Sequence, residues 1–408
     1  MKRNTAYYDV SCTLMACAAC GCVEPFDLKT EIFDDLLAVD AVITDEIKHQ
    51  EISLTRTFRF EADGPKPENN ATVRMLEVGG AEIFFREQTP GKYVSSSEFA
   101  VEQGKSYQLK ITTENGRSYS SREVGTPQDT QLDEIYAERI VNDVDIDGVA
   151  IYADSFDPTG NSLYYRYEYQ EAYKIVPPFT RQDSLYSVSD EYPDCEVAFA
   201  LKNPYAHRGV LCFGSNEASN KIILTTTTGL TEDRVSRFLV RFLEQDNPII
   251  GQRYSVLVNQ YVVNYEAYLF YDVLKSFSDP ESLFSETQSG FIEGNISSDD
   301  NLNEKVIGYF DVSTISTTRI FFNYEDFYNF GDKRPYFFPC RVKKPANPLF
   351  QIFGPGCNLP SFVQSYDYIY AGPNNDPRFD EGPYDFVRRR CDDCREFASE
   401  EAPDFWIE

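Results

Sequence analysis

Strict alternation of apolar and polar residues is the feature that most limits how this chain can fold. In the stretch EISLTRTFRF, the apolar side chains of Ile52, Leu54, Phe58 and Phe60 fall on one side of an extended backbone. The stretch SYQLKITTENGRSY repeats the pattern with a tyrosine, a leucine and an isoleucine at every second position. Successive side chains of a β-strand point to opposite faces, so this period predicts strands with one buried face. The chain is therefore expected to be mainly β.

Turn signals separate the alternating stretches of the first region. Asn115-Gly116 is typical of a tight hairpin because both positions tolerate a positive φ, and Gly79-Gly80 predicts a second turn between TVRMLEV and AEIFF. Short strands with turns at this spacing are typical of a β-sandwich. We expect an immunoglobulin-like β-sandwich over residues 22–128, ended by the linker-like stretch GTPQDTQ.

Residues 129–408 are expected to form a larger domain that is also rich in β-structure. Val149, Ile151 and Ala153 alternate ahead of the turn sequence DPTGN. The stretch NYEAYLFYDVLKSFS instead places apolar residues four apart, which predicts one prominent helix. These residues are Tyr265, Leu269, Val273 and Phe277. The last 70 residues are rich in proline, glycine, asparagine and aromatic residues, and predict a tail of long loops that contains cysteines.

Three tyrosines in YYRYEYQEAY share one face of a predicted strand, namely Tyr165, Tyr167 and Tyr169. Such a ladder usually packs against neighbouring strands. An exposed ladder would instead offer a surface on which sugar rings can stack.

The N-terminus has the pattern of an export signal. Lys2 and Arg3 precede an apolar run that is too short to span a bilayer as a helix. The run ends in Ala-Cys-Gly-Cys, which is similar to a bacterial lipobox with Cys22 as the lipid-bearing residue. Residues 1–21 are therefore interpreted as a lipoprotein signal peptide. An ordinary signal peptide, cleaved near Ala19, is the alternative.

The charge of the chain excludes some partners. The formal net charge is -28, so the protein would repel the phosphates of nucleic acids. No other apolar run is long enough to be a membrane span, which leaves the N-terminal lipid as the expected membrane attachment. The two histidines, His49 and His207, offer few possibilities for metal sites or catalytic triads.

Six cysteines follow Cys22, and an even number in an exported chain predicts disulfides. They are Cys195, Cys212, Cys340, Cys357, Cys391 and Cys394. Pairing between neighbours in sequence would give 195–212, 340–357 and 391–394, although six cysteines permit 15 pairings. Zinc bound by the last four is the alternative.

The stretch DVDIDGVAIYAD has acidic residues with the spacing of a calcium-binding loop. Asp143, Asp145, Asp147 and Asp154 take positions 1, 3, 5 and 12 of such a loop. Position 12 is usually a glutamate, and the residues after Gly148 alternate like a strand. A structural calcium ion is one hypothesis, and a solvated acidic turn is the other. We expect no other cofactor.

No motif for a catalytic nucleophile, a zinc protease or a phosphate-binding loop is present. Carboxylates are so numerous that a pair suited to glycoside hydrolysis cannot be identified from sequence. We therefore expect the protein not to be an enzyme and assign no catalytic residue.

Several stretches, taken together and in order, resemble the domain-of-unknown-function family numbered 4249. They include CVEPFD, GKSYQLKITTENGRSYSSREVGTP, RYSVLVNQYVVNYEAYLFYDVLK, VIGYFDVSTISTTRIFF and CDDCREFASEEAPDFW. The resemblance covers nearly the whole chain after the leader. It implies an outer-membrane lipoprotein of Bacteroidota, with Cys22 as the lipid site, that faces the cell surface.

The resemblance also implies a role beside TonB-dependent transporters. The chain would then be a non-enzymatic accessory in nutrient uptake that binds a transporter barrel, a nutrient such as a glycan or peptide, or both. A structural or assembly factor of the outer membrane is the first alternative, and a hydrolase with paired carboxylates is the second. A ligand-binding role predicts a concave, aromatic-lined pocket in the C-terminal domain.

Overall fold

The structure is a computed structural model. It describes residues 35–58, 64–191, 194–201, 209–216, 221–278, 292–329, 331–345, 358–378 and 381–408. The predicted signal peptide, Cys22, His207 and Cys357 lie outside these ranges.

The first part of the chain folds into nine strands. They are β1 (Leu37–Thr44), β2 (Glu51–Arg56), β3 (Lys66–Pro67), β4 (Thr72–Glu77), β5 (Glu82–Thr89), β6 (Lys92–Ser95), β7 (Ser106–Thr112), β8 (Ser118–Ser121) and β9 (Val124–Gly125). The alternation seen in the sequence places Ile52 and Leu54 in the core, while Phe58 is 41% exposed beyond the end of β2. Phe60 lies outside the described residues.

The second part adds longer strands. They are β10 (Leu132–Val141), β11 (Asp147–Asp157), β12 (Tyr164–Ile175), β13 (Asp183–Ser187), β14 (Val197–Leu201), β15 (Cys212–Asn216), β16 (Ile223–Thr226), β17 (Asp233–Glu244), β18 (Arg253–Val262), β19 (Ile296–Ser298), β20 (Val306–Asn323), β21 (Tyr368–Pro373) and β22 (Tyr384–Arg388). The α-helices are α1 (Tyr265–Ser278) and α2 (Asn358–Gln364). The prediction of a mainly β protein is confirmed.

One long path of paired strands connects the two parts. Its order is β15-β12-β18-β20-β1-β2-β6-β5-β4-β7-β8-β19. The 18-residue strand β20 makes the connection. Its first half pairs in parallel with β1, from Val306 to Ser313, and its second half pairs with β18 from Thr314 onward. A separate three-stranded sheet, β10-β11-β17, packs on the second part.

Two large cores lie on either side of this connection. The first is built on β1, β2, β4 and β7, and it also receives Ile296, Val306, Phe310 and Val312. Residues from the region assigned to the C-terminal domain thus complete the core of the N-terminal one. The second core is formed by β11, β12, β17 and β18.

The turns predicted from glycine are confirmed. Gly79 has a φ of 76° between β4 and β5, and Gly116 has a φ of 84° between β7 and β8. Both values fall in the left-handed region, where a side chain is disfavoured and glycine is not. Val149, Ile151 and Ala153 are fully buried on β11, as their alternation predicted.

The predicted prominent helix is confirmed as α1, and its apolar stripe faces solvent. Tyr265, Leu269, Val273 and Phe277 are each between 38% and 50% exposed. The helix packs on the sheet through a different face. That face carries Ala267 together with aromatic residues that do not belong to the stripe. Among the described residues, neither helix has the length and apolar character needed to cross a bilayer.

Candidate functional site

A concave groove of about 790 Å³ lies in the C-terminal part of the molecule. Three segments form it: the chain that follows β12, the turn between β17 and β18, and the stretch before Cys340. Proline and aromatic residues dominate its lining, namely Pro177, Pro178, Phe179, Pro248, Tyr324, Pro335, Tyr336, Phe337, Phe338 and Pro339. Small-molecule sites of proteins are typically clefts of this size and character.

Aromatic packing holds the wall of the groove that carries Tyr336, Phe337 and Phe338. The ring of Phe337 stacks on Tyr173 of β12 at 5.6 Å between centroids. Phe338 packs edge-on against Phe397 at 4.9 Å, and the Tyr336 hydroxyl donates a hydrogen bond to the carbonyl oxygen of Arg390 at 2.7 Å. A wall without regular secondary structure is thereby kept in one shape.

The backbone at Gly251 lies very close to the backbone of the groove wall at Pro335. Gly251 follows the short 3₁₀ turn Pro248–Ile250. A Cβ atom at Gly251 would lie 2.5 Å from the carbonyl oxygen of Pro335, so only glycine fits. The Arg334 guanidinium donates to the carbonyl oxygen of Gly251 at 3.4 Å, which ties the two sides of the groove together.

Disulfides fix the same region, and they do not join the neighbours expected from the sequence. Cys340, at the end of the groove wall, is bonded to Cys391. Cys212 on β15 is bonded to Cys394. The pairings 195–212, 340–357 and 391–394 are therefore wrong. Closeness in sequence did not predict the disulfide pairs, because the fold brings the last turn of the chain against β15 and the groove wall.

Cys195 is also disulfide-bonded. Oxidised sulfurs at Cys340, Cys391 and Cys394 exclude the zinc alternative, because only a thiolate binds zinc tightly.

The rim of the groove is basic, in contrast to the acidic protein as a whole. Lys174, Lys333 and Arg334 face a single carboxylate, Asp246, among the lining residues. Lys174 pairs with Glu408 at 2.7 Å, and Arg334 pairs with Glu325. Lys333 is exposed and makes no hydrogen bond or ion pair with any residue that the structure describes. Its ammonium group is therefore open to a ligand with a negative charge.

The acidic stretch proposed for calcium forms a hairpin turn between β10 and β11. The Asn142 side chain closes this turn by accepting hydrogen bonds from the backbone N–H groups of Val144 and Ile146. Asp147 forms a two-pronged ion pair with Arg139, at 2.9 and 2.6 Å. Arg139 holds the pKa of Asp147 below its usual value.

The other acidic residues of this stretch are not gathered around Asp147. Asp154 lies seven residues further along β11 and accepts a hydrogen bond from the backbone N–H of Arg237 at 2.5 Å. Asp143 and Asp145 lie in the turn itself. In the described ranges, no three acidic, cysteine or histidine residues are grouped as metal ligands. A calcium ion at this stretch stays one of two hypotheses, beside a solvated acidic turn.

The tyrosine ladder is part of the core and does not form a surface for sugars. Tyr165 and Tyr167 are fully buried, and their hydroxyls donate to Asp233 and Gln260 at 2.8 Å each. His49 lies away from the groove, where its Nδ1 is 2.9 Å from the carbonyl oxygen of Ser95. The sequence interpretation missed the groove, although three consecutive aromatic residues between Pro335 and Pro339 could have indicated it.

Comparison with known proteins identifies the family. The model of the family DUF4249, a domain of unknown function, matches residues 23–319. No curated protein matches the chain. One similar solved structure is a DUF4785 family protein from Legionella pneumophila. It is 10% identical with a TM-score of 0.16, and the match covers 55% of this chain and 51% of that one. Because the family match spans most of the sequence, this chain belongs to the DUF4249 family.

Proposed function

We propose that the protein is a lipid-anchored surface protein of the outer membrane that acts as a non-enzymatic, substrate-binding accessory of a TonB-dependent nutrient transporter. The observation that carries this proposal is the aromatic-lined groove, which has the size and lining of a ligand site. The N-terminal sequence supports the lipid anchor, since Cys22 follows a short apolar leader. Membership of the DUF4249 family is consistent with the proposal.

The chemistry of the groove defines the class of ligand. Flat apolar groups pack favourably on tyrosine and phenylalanine rings. The ammonium of Lys333, which has no ion-pair partner among the residues that the structure describes, attracts an anion. The groove therefore suits an organic nutrient that combines a flat apolar face with a negative charge. A peptide with an acidic group or an acidic glycan would meet both conditions.

A structural or assembly role is the second candidate, and the exposed stripe on α1 favours it. Leu269 and Val273 lie on this stripe with more than 40% of their surface in solvent. Contiguous exposed apolar surface often marks contact with another protein. In that case the α1 stripe, and not the groove, would be the functional surface.

Binding of 8-anilinonaphthalene-1-sulfonate distinguishes the two surfaces. This probe is a flat aromatic anion whose fluorescence rises in apolar sites. Lys333→Glu reverses the charge at the groove rim, and we expect it to weaken binding about tenfold. Leu269→Ser changes only the α1 stripe and serves as the matched control, with unchanged affinity.

The opposite result would reject the groove as the ligand site. If Leu269→Ser abolished the fluorescence and Lys333→Glu left it unchanged, the probe would be bound on α1. Circular dichroism of both variants would verify that each is folded. Lys333 is well suited to this test because its side chain is exposed and makes no hydrogen bond or ion pair within the described part of the chain.

A further inference from the structure

The hairpin formed by β13 and β14 has one open strand edge. Among the residues that the structure describes, β14 pairs only with β13. The Val188 N–H donates to the carbonyl oxygen of Glu196 at 2.8 Å, and the backbone groups of a strand alternate in direction. The N–H and C=O groups of Val197, Phe199 and Leu201 therefore point away from β13, where a further strand can pair with them.

The side chains at this edge are apolar and largely in solvent. Leu201 is 84% exposed and Phe199 is 54% exposed. The Phe199 ring nevertheless contacts Tyr370 and Tyr384 edge-on, at 5.6 and 5.7 Å between centroids. Leu185, which lies opposite Phe199 in the hairpin, is buried in the same small core. The exposed apolar face of β14 thus continues a core, and covering it would be favourable.

The composition of β14 distinguishes it from longer edge strands of this protein. Its sequence, VAFAL, contains no charged residue, proline or glycine. The outer strands of the three-stranded sheet are β10 and β17, and they carry Glu138, Arg139, Arg234 and Arg237. Natural proteins commonly use such charges to keep an edge strand from pairing with another chain. The edge of β14 lacks this protection, which favours a strand from another molecule as its neighbour.

The sequence around β14 is complementary to itself in one antiparallel register. When Phe199 lies opposite Phe199 of a second copy, Val197 lies opposite Leu201, and outward N–H groups meet outward carbonyl groups. Glu196, which precedes the strand, is then opposite the lysine at position 202 of the sequence, a residue outside the described ranges. Opposite charges therefore face each other, although each copy has a formal net charge of -28. The repulsion between whole copies is screened beyond about 8 Å at physiological ionic strength.

We propose that two copies of this chain form a dimer by antiparallel pairing of their β14 strands. The two hairpins then make one sheet with the strand order β13-β14-β14-β13, and the two-fold axis passes beside Phe199. Pairing of Val197 with Leu201 covers the exposed leucine, and the charge pair at Glu196 fixes the register. The same surface is used by both copies, so the assembly closes at two.

Sedimentation equilibrium of the purified full-length chain in detergent, at about 150 mM salt, measures this dimer. We expect a Kd below about 100 μM. Glu196→Lys turns both charge pairs of the dimer from attractive to repulsive, and should weaken the dimer about tenfold. The result does not depend on ligand binding, because β14 contributes no residue to the groove.

Glu98→Lys is the matched control. Glu98 is exposed in the loop between β6 and β7, and its replacement changes the net charge by the same amount as Glu196→Lys. A smaller net negative charge reduces the repulsion between copies, so Glu98→Lys should leave the dimer unchanged or slightly stronger. Weakening by Glu196→Lys alone therefore reports the local charge pair. Circular dichroism verifies that both variants are folded.

Cysteine substitution tests the register. Directly opposite Cα atoms of a hydrogen-bonded antiparallel pair are about 5.5 Å apart, which is within the range of a disulfide. Phe199→Cys places two thiols opposite each other, and diamide, which is reduced to a hydrazine as the disulfide forms, should yield a covalent dimer. Ala200→Cys lies opposite Ala198 and should yield little.

Three results would overturn the proposal. The first is a wild-type chain that stays monomeric at about 300 μM. The second is a dimer whose affinity Glu196→Lys does not change, since its interface would lie elsewhere. The third is equal cross-linking of Phe199→Cys and Ala200→Cys, which would exclude the register centred on Phe199.

Discussion

Replacing the buried carboxylate Asp311 by asparagine is expected to stabilise the protein at neutral pH. Asp311 is fully buried on β20. One of its oxygens accepts a hydrogen bond from the Tyr271 hydroxyl at 3.2 Å, and the other has no partner among the described residues. Burial raises the pKa of this carboxyl to about 6, although Arg166 and Tyr271 favour the ionised form. The fold therefore prefers Asp311 protonated.

The size of the effect follows from this difference in pKa. The value rises from 3.8 to about 6, and each pKa unit corresponds to about 1.4 kcal/mol in the free energy of unfolding, or about 3 kcal/mol in all. Because the folded state binds the proton more tightly, this stability is fully present below pH 3.8 and is lost as the pH rises through about 6. Asparagine is neutral at every pH, so the variant does not lose this free energy of unfolding. Relative to wild type, it should be more stable by most of the full amount at about pH 8 and by little at about pH 4.

Urea unfolding at several pH values measures this gain. The fluorescence of Trp406, the only tryptophan in the sequence, reports the transition because its ring packs on Phe213 and Phe321. Subtracting the wild-type curve removes the contribution of all other carboxylates. Glu82→Gln, which removes a carboxylate from a surface ion pair, is the matched control. A difference between Asp311→Asn and wild type that did not change with pH would refute the reasoning.

Three further changes test the fold. Replacing Cys340 and Cys391 by serine opens a loop of 51 residues and should lower the free energy of urea unfolding by about 4 kcal/mol; an unchanged urea midpoint without reductant would contradict the bridge. Gly308→Ala places a Cβ 1.8 Å from the Val39 carbonyl oxygen at a φ of 101°. It should separate β1 from β20 and abolish soluble expression, whereas a wild-type yield would argue against this pairing. A chelator should leave the melting temperature unchanged because Asp147 already has an arginine partner, and a decrease of more than about 2 °C would favour calcium.

Features that depend on neighbouring residues could be predicted from the sequence. Whereas β11 is also buried at Ala150 and Tyr152, between its alternating residues, the buried face of β7 follows from alternation alone, because the period of a strand is a local property. The same holds for the turns at Gly79 and Gly116, where the backbone has a positive φ. The helix α1 was predicted from its spacing, but spacing alone could not show which of its two apolar faces would be covered.

Features that depend on distant residues could not be predicted in this way. Cys212 and Cys394 are 182 residues apart in the sequence, and only the placement of the last turn beside β15 brings them together. The parallel pairing of Leu37 with Val306 has no local signal either. The aromatic groove is formed by segments from several parts of the chain, so its shape could not be predicted, although the aromatic run between Pro335 and Pro339 could have indicated one of its walls.

The proposed association with a transporter is tested most directly by co-purification from native membranes. The full-length chain, tagged at its C-terminus, is cross-linked in intact cells before the outer membrane is solubilised, and its partners are identified by mass spectrometry. A TonB-dependent barrel recovered in stoichiometric amount is the predicted result. Recovery of the cross-linked chain without any such barrel would contradict the proposed function.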